Sequence, residues 1–323
     1  MADPDSAPAH SGEQLGVKMS PSRRPYMGES DLQTLLHFAS RSLTERFPLA
    51  STWHPGDVAW ELREQYSSRQ PIRLWEQDGV VEAVAWSVGP GQFWLETTPA
   101  GEGWLPDIIG WAESAALRRQ TGVKAPTVSV RVFEGDRLRI AGLSRLGFKP
   151  VGPESVHFEF DLTGPLPEVP VPPGLALRDG VGIDPEQRAA SHRDAWSALD
   201  HIGIENARST FSAAAYESLR TSPVYRCELD LIAVASDGRL AANCICWADA
   251  PSGVGIFEPM GTHPAFRGRR LARTLLAEGL HRLRDMGHRR ARISTAHFNT
   301  SAVAAYSSMF QPLDRSFWWA RTL

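Results

Sequence analysis

Met260-Gly261-Thr262-His263-Pro264-Ala265-Phe266-Arg267-Gly268-Arg269-Arg270-Leu271-Ala272-Arg273 is the stretch on which the reading of this 323-residue chain turns. A short apolar strand ends, a proline turns the chain, and an arginine-rich loop opens directly into a helix. Spacing predicts the helix: Leu271, Leu275, Leu276, Gly279, Leu280, Leu283 and Met286 recur at helical intervals. Arg273, Glu278, Arg282 and Arg284 fall elsewhere around the cylinder, and Gly287 is the stop. The first turn of a helix leaves backbone N–H groups unpaired at the positive end of its dipole, so a basic loop feeding it is suited to hold an anion, with a pyrophosphate as the matching ligand.

These residues resemble the cofactor loop of the GNAT superfamily of acetyl-coenzyme A dependent N-acyltransferases, which reads Arg/Gln-x-x-Gly-x-Gly/Ala after a strand. Arg267, Leu271 and Ala272 fit, while Arg270 stands where the family usually has glycine. Glycine there lets the backbone approach the pyrophosphate closely; an arginine must turn its side chain outward or replace contact with charge. A second segment follows a strand-like Ala291–Ala296. It runs His297-Phe298-Asn299-Thr300-Ser301-Ala302-Val303-Ala304-Ala305-Tyr306-Ser307-Ser308-Met309-Phe310, and Asn299, Ala302 and Tyr306 match the family's Asn-x-x-Ala-x-x-x-Tyr. The Gly-Phe that normally follows is replaced by Phe310-Gln311. The two segments occupy about the last 65 residues, in the family's order and spacing.

The resemblance implies an α/β (α+β) mixed sheet, acetyl-CoA as co-substrate and no metal. It also implies cofactor contacts from Met260, Gly261 and Thr262, from Arg267, Gly268, Arg269, Arg270, Leu271, Ala272 and Arg273, and from Asn299 and Ala302. Tyr306 stands where the family often keeps the acid that protonates the departing thiolate; packing against Ala302 and Phe310 at helical spacing is the competing role.

Composition bounds the rest. Length favours two domains, and 42% hydrophobic with 22% charged residues describes a globular protein. A net charge of −3 gives no general attraction to nucleic acid, so the arginines of the loop suit one small polyanion. No apolar run reaches membrane-spanning length and the first 25 residues lack a signal-peptide core, so a cytoplasmic protein with a loose tail over 1–25 is expected, monomeric or homodimeric. Cys227, Cys244 and Cys246 lack metal-ligand spacing and read as reduced thiols.

Proline concentrates at Gly164–Gly174, marking a linker between domains at 26–163 and 175–323. After it the pattern predicts helices near Pro185–Leu199 and Ser209–Arg220, strands at Leu229–Ala235, Leu240–Trp247 and Gly255–Thr262, then the loop, helix, strand and helix already described. The first half repeats this outline faintly: a helix near Asp31–Arg46, strands at Ile72–Gln77, Val80–Val88 and Gln92–Thr97, a helix at Leu105–Arg119, a strand at Thr127–Phe133, and a closing Leu146-Gly147-Phe148. Gly101-Glu102-Gly103-Trp104 replaces the basic loop and puts an acid where a phosphate would sit. The first half therefore reads as a degenerate GNAT-like lobe without a cofactor loop and with little or no cofactor binding of its own, or else as an unrelated α+β domain.

Glu258 lies on the strand entering the loop, two residues before Met260, so their side chains are expected on one face. A carboxylate there either accepts the proton of a substrate ammonium or anchors the cation. His297 is a candidate lining residue, and Asp200, His201 and Glu205 are candidates for acceptor recognition, with structural or helix-capping roles as alternatives. Seven of the eleven tryptophans fall between Trp53 and Trp111, where core and domain-interface packing is the default. The expected activity is acetyl transfer to a primary amine of a small molecule in a ternary complex. A protein N-terminus, a lysine, or the amine of a thiol precursor are alternative acceptors, and a non-catalytic acyl-CoA sensor or scaffold is the alternative of another class.

Overall fold

The structure, a computed structural model, describes residues 21–48, 53–63, 71–197, 199, 202–204 and 208–323. The first half contains β1 (Ser22–Pro25), α1 (Glu29–Glu45), α2 (Pro55–Glu61), β2 (Ile72–Gln77), β3 (Val80–Gly89), β4 (Gln92–Thr97), α3 (Leu105–Arg119), β5 (Thr127–Phe133), α4 (Arg137–Arg145) and β6 (Lys149–Asp161). The second contains β7 (Leu175–Arg178), α5 (Pro185–Ala195), α6 (Ala213–Arg220), β8 (Asp230–Ala235), β9 (Leu240–Asp249), β10 (Val254–Thr262), α7 (Leu271–Asp285), β11 (Arg290–Ala296), α8 (Thr300–Ser307) and β12 (Gln311–Thr322). Local chemistry accounts for the helix starts. Asp184 accepts from the Gln187 N–H ahead of Pro185, Ser212 from Ala215, and Asp136 from Arg139.

One mixed sheet runs through both halves in the order β1-β2-β3-β4-β5-β12-β6-β11-β10-β9-β8-β7. Alternation along β9 shows how it is covered. Cys244 and Cys246 face the core beneath α7 and α8, whereas Ile245 and Trp247 face a second core shared by α5, α6 and the N-terminal α2. Burial on both faces explains why β9 reads as a continuous apolar run. The buried thiols of Cys244 and Cys246 are free and pack as small apolar groups.

The centre of the sheet is an exchange. β6, from the first half, pairs antiparallel with β11 of the second, and the chain-terminal β12 inserts between β5 and β6. Each lobe is completed by a strand from the other half, so the expected boundary at 163/175 divides the sequence but not the sheet. Gly164–Gly174 is neither helix nor strand. Of the expected loose tail, residues 1–20 lie outside the described residues, and Ser22–Pro25 instead form β1, paired with β2.

Sequence patterning missed β6 and β12 because Pro150, Pro153 and Pro312 interrupt them. The register shifts where β12 pairs with β6 fall near those prolines, which cannot donate to a ladder. No helix of the described residues is long and apolar enough to cross a membrane.

Candidate active site

β10 and β11 pair in parallel only from Val254–Ile256 to Arg290–Arg292, then part. Against β9, β10 carries a bulge: Phe257 pairs with Cys246 but Met260 with Cys244, so three steps on one strand meet two on the other. Cys244 and Cys246 share a face, and their partners Met260 and Phe257 therefore do too. Glu258, inside the bulge beside its cis bond to Pro259, turns to the other side. The expectation that Glu258 and Met260 share a face is thus corrected, because the bulge reverses strand parity. Trp247 Nε1 donates to the Glu258 carbonyl at 2.5 Å and holds the distortion.

The split between the strands opens a cleft of about 680 Å³ walled by Trp196, Ile202, Met260, Arg267, Arg273 and Tyr306. Gly261 must be glycine here, since a Cβ would lie 2.3 Å from Trp196 Cζ3 and 2.6 Å from the Ala195 Cβ. Beyond it, Gly268 (φ 78°) and Arg270 (φ 63°) both take left-handed backbone, and Arg270 is the N-cap of α7. The loop's glycine preference is therefore conformational, and Arg270 meets it under strain.

Gly261, Thr262, Gly268, Arg270, Leu271 and Ala272 also border the cleft. Arg267 reaches back to the Ala195 carbonyl at 3.1 Å, and Arg273 Nε is buried without a hydrogen-bond partner. Arg269 is exposed, stacks on Phe266 at 5.3 Å and is not part of the cleft wall.

Asn299 and Ala302 line the opposite wall, but the Asn299 side-chain oxygen is committed to capping α8 through the Ala302 N–H at 3.2 Å. Tyr306 is buried against Phe158. Burial, together with nearby Cys244 and Glu258, raises its hydroxyl pKa, so it stays protonated.

On Glu258's side of the strand lies a second, smaller pocket of about 200 Å³, between the two lobes. Glu258 meets Asp57 and Glu61 of α2 there, with Trp60, Trp94 and Arg131 among the walls. Burial, reinforced by Asp57 and Glu61 and opposed by Arg63, pushes the Glu258 carboxyl up to about 8. Burial likewise pushes Asp57 up to about 7, against the His54 backbone N–H and Arg131. Glu61, at the exposed rim, is also raised by desolvation.

His54 fixes α2 in place. Its Nδ1 accepts from the Gly56 N–H at 2.9 Å, so its Nε2–H donates to the Val254 carbonyl of β10 at 3.1 Å. Burial holds it neutral, with its pKa lowered to about 4. Asp57, Glu61, Arg131 and Trp94 escaped sequence reasoning because each belongs to the half without a cofactor loop. The concentration of tryptophans was the available signal, and Trp60, Trp86 and Trp94 do line this pocket.

Other expected residues are placed elsewhere. His297 is exposed, beside the Glu154 carbonyl at 3.2 Å, and borders neither cavity. Asp200, His201 and Glu205 lie outside the described residues.

The first lobe has its own split, since β4 and β5 pair only at Gln92–Phe93 with Ser129–Val130. Buried side chains cross it, beside a cavity of about 460 Å³ lined by Thr97, Glu102, Leu105, Asp136 and Arg139. Arg139 donates to the Leu95 carbonyl at 2.6 Å and to Thr97 Oγ1 at 2.8 Å. Arg46 pairs with Asp136 at 2.5 Å and with Glu102 at 3.2 Å. Glu102, the acid noted in place of a phosphate, thus holds a buried arginine. Among the described residues no group of His, Cys, Asp and Glu is placed to hold a metal ion.

A bulged strand diverging from its parallel neighbour, a basic left-handed loop entering a helix, and a tyrosine on the facing helix define the cleft of an acyl-CoA N-acyltransferase fold. Residues 196–310, within the C-terminal lobe, match the Acetyltransferase (GNAT) family. A mycothiol acetyltransferase of Salinispora tropica is 31% identical over 154 residues, 46% of this chain and 48% of that protein. The chain thus spans about half the length of that relative.

Among solved structures, a tandem GNAT protein from the clavulanic acid biosynthesis pathway superposes with a TM-score of 0.61 at 18% identity, covering 94% of this chain and 98% of that one. A GCN5-related N-acetyltransferase from Sphaerobacter thermophilus gives 0.59 at 21% identity, covering 94% and 95%. At such identities the likeness is one of fold, and it extends over both lobes.

Proposed function

We propose that the chain is a cytoplasmic N-acetyltransferase, monomeric or homodimeric, that moves acetyl from acetyl-CoA to a primary amine of a small molecule by direct transfer in a ternary complex. One observation carries this reading: a single bulged strand serves both cavities, with Met260 on the cleft and Glu258, two residues earlier, in the carboxylate-lined pocket. Arg267, Arg273 and the first N–H groups of α7 suit the pyrophosphate of the donor. The edge of Met260–Thr262 released from β11 suits its amide-bearing arm.

In the pocket, a substrate ammonium passes its proton to the Glu258 carboxylate. The freed amine then attacks the thioester carbonyl, the C–S bond breaks as the amide forms, and the proton the nitrogen loses passes through solvent to the departing thiolate, which leaves as the thiol. Tyr306 donates a hydrogen bond to the departing sulfur; its raised pKa makes it a stabiliser of that charge more than a complete proton donor. A pocket of about 200 Å³, enclosed by indoles and three carboxyls, favours a small cationic acceptor over a protein segment.

The test is calorimetric titration of acetyl-CoA into the wild type and into the Arg267→Ala/Arg273→Ala variant, followed by thiol-release assays with amines. Micromolar binding at one site, weakened about a hundredfold in the variant, supports the reading, as two lost charge-assisted contacts are worth on that order. Absence of binding overturns it.

A further inference from the structure

The acceptor pocket is bipolar, and only its acidic side is used by the reaction above. Among its walls, Arg131 of β5 lies with its guanidinium 4.3 Å from the Trp94 ring, and its side chain is 13% exposed. Arg131 Nε and Trp94 Nε1 are both buried without a hydrogen-bond partner. The carboxylate beside Arg131, Glu154, stands at 3.5 Å and also accepts from Ser316 Oγ at 3.1 Å. Arg292, which borders the same pocket, is engaged by Glu159 at 2.7 Å. His157 between them is held neutral, its pKa lowered to about 3 by burial and by both arginines. Arg131 and Trp94 both line the cavity that holds three carboxyls, and the ion pair of Arg131, from Nε to Glu154, is long at 3.5 Å, so the guanidinium keeps capacity for an anion that arrives with the ligand.

We infer that the acceptor is amphoteric: beyond the amine received at Glu258 it carries an anionic oxygen group, a carboxylate or a phosphate, which Arg131 and the indole N–H of Trp94 bind. The inference rests on the proposed acetyltransferase reading and gives the first lobe its role, as the half that selects the acceptor. Asp57, Glu61 and Glu258 attract the ammonium end, and Arg131 turns the other end away from them. The molecule is thereby oriented with its amine toward the strand that divides pocket from cleft.

The test uses amines in matched pairs, an amino acid against its decarboxylated amine and an amino-alcohol phosphate against the free amino alcohol, with thiol release as readout. Expected for the wild type is a kcat/KM about tenfold or more higher for the anionic member of at least one pair, expressed in KM; the pair that responds identifies carboxylate or phosphate. Arg131→Gln should bring that ratio to within about threefold of unity, and Arg131→Lys should restore part of it, with melting curves recorded for each variant. Equal or better turnover of the neutral members by the wild type overturns the inference and leaves the acetyltransferase reading standing. A ratio unchanged in a folded Arg131→Gln variant overturns it as well. Failure of every amine together with failure to bind acetyl-CoA overturns both.

Discussion

Glu258 and Arg270 each carry a cost in the fold. Glu258 is a carboxyl with its pKa raised to about 8, so its neutral form is favoured in the fold. As a base it works only when ionised. Activity should therefore climb with pH to a plateau above about 8, and Glu258→Gln should lower kcat by about 10²–10⁴ and remove that limb, as read from pH–rate profiles. The stability sign is the reverse. A raised carboxyl contributes stability that is full below its unfolded pKa near 4.5 and is lost as pH rises through about 8. Urea midpoints should accordingly show Glu258→Gln gaining on the wild type between those limits, by at most about 1.4 kcal/mol per pH unit. Arg270 pays for left-handed backbone at a position where glycine would be at ease. Arg270→Gly should stabilise the chain by up to about 1 kcal/mol in denaturation experiments, the relief of strain exceeding the extra unfolded-state entropy.

Helix α2 is seven residues long and would not persist alone in water. It holds because Pro55 starts it, His54 and Asp57 cap it reciprocally, and its buried side packs into the core of the other lobe. Gly56 makes that approach possible: a Cβ would fall 2.2 Å from Trp247 Cγ. Gly56→Ala should cost about 1–3 kcal/mol by chemical denaturation and raise the acceptor KM more than that of acetyl-CoA, since Asp57 and Glu61 ride on the displaced helix. The bulge in β10 works at the same scale. By inserting one residue it sends Glu258 to the pocket while leaving Phe257 and Met260 on the core and cleft side.

At the level of the whole molecule, strand exchange ties the lobes into one sheet. Ending the chain before Gln311 would remove β12 and expose the edges of β5 and β6. Such a truncation should elute as aggregate in size exclusion, because unpaired central edges template further pairing. The buried Arg46 and Arg139 network also makes the two lobes unequal. One acetyl-CoA per chain is expected by calorimetry, and Arg46→Ala should destabilise the fold by about 3–5 kcal/mol without creating a second site, because it removes one of the two guanidiniums that face the buried carboxylates of Asp136 and Glu96.

What could be read from residues alone was local. The loop at Arg267–Arg273, the helical spacing of α7, the Asn299-to-Tyr306 helix and the repeated outline of two lobes depend on contacts between near neighbours in sequence, and those leave a periodic signature. Glu258 was legible as a charge in an apolar strand, although its direction was not, because a bulge has no period. The partners of that strand were decided only in three dimensions. Nothing near Asp57, Arg131 or Trp94 in sequence announces Glu258, and prolines hide the exchanged strands that bring the halves together. The sequence by itself determined the resemblance of the second lobe and the elements that wall the larger cleft, where short-range pattern suffices. The carboxylate-lined pocket between the lobes and the sheet that joins them came only from the tertiary structure, because they rest on pairings between residues some 200 positions apart, such as His54 with Val254.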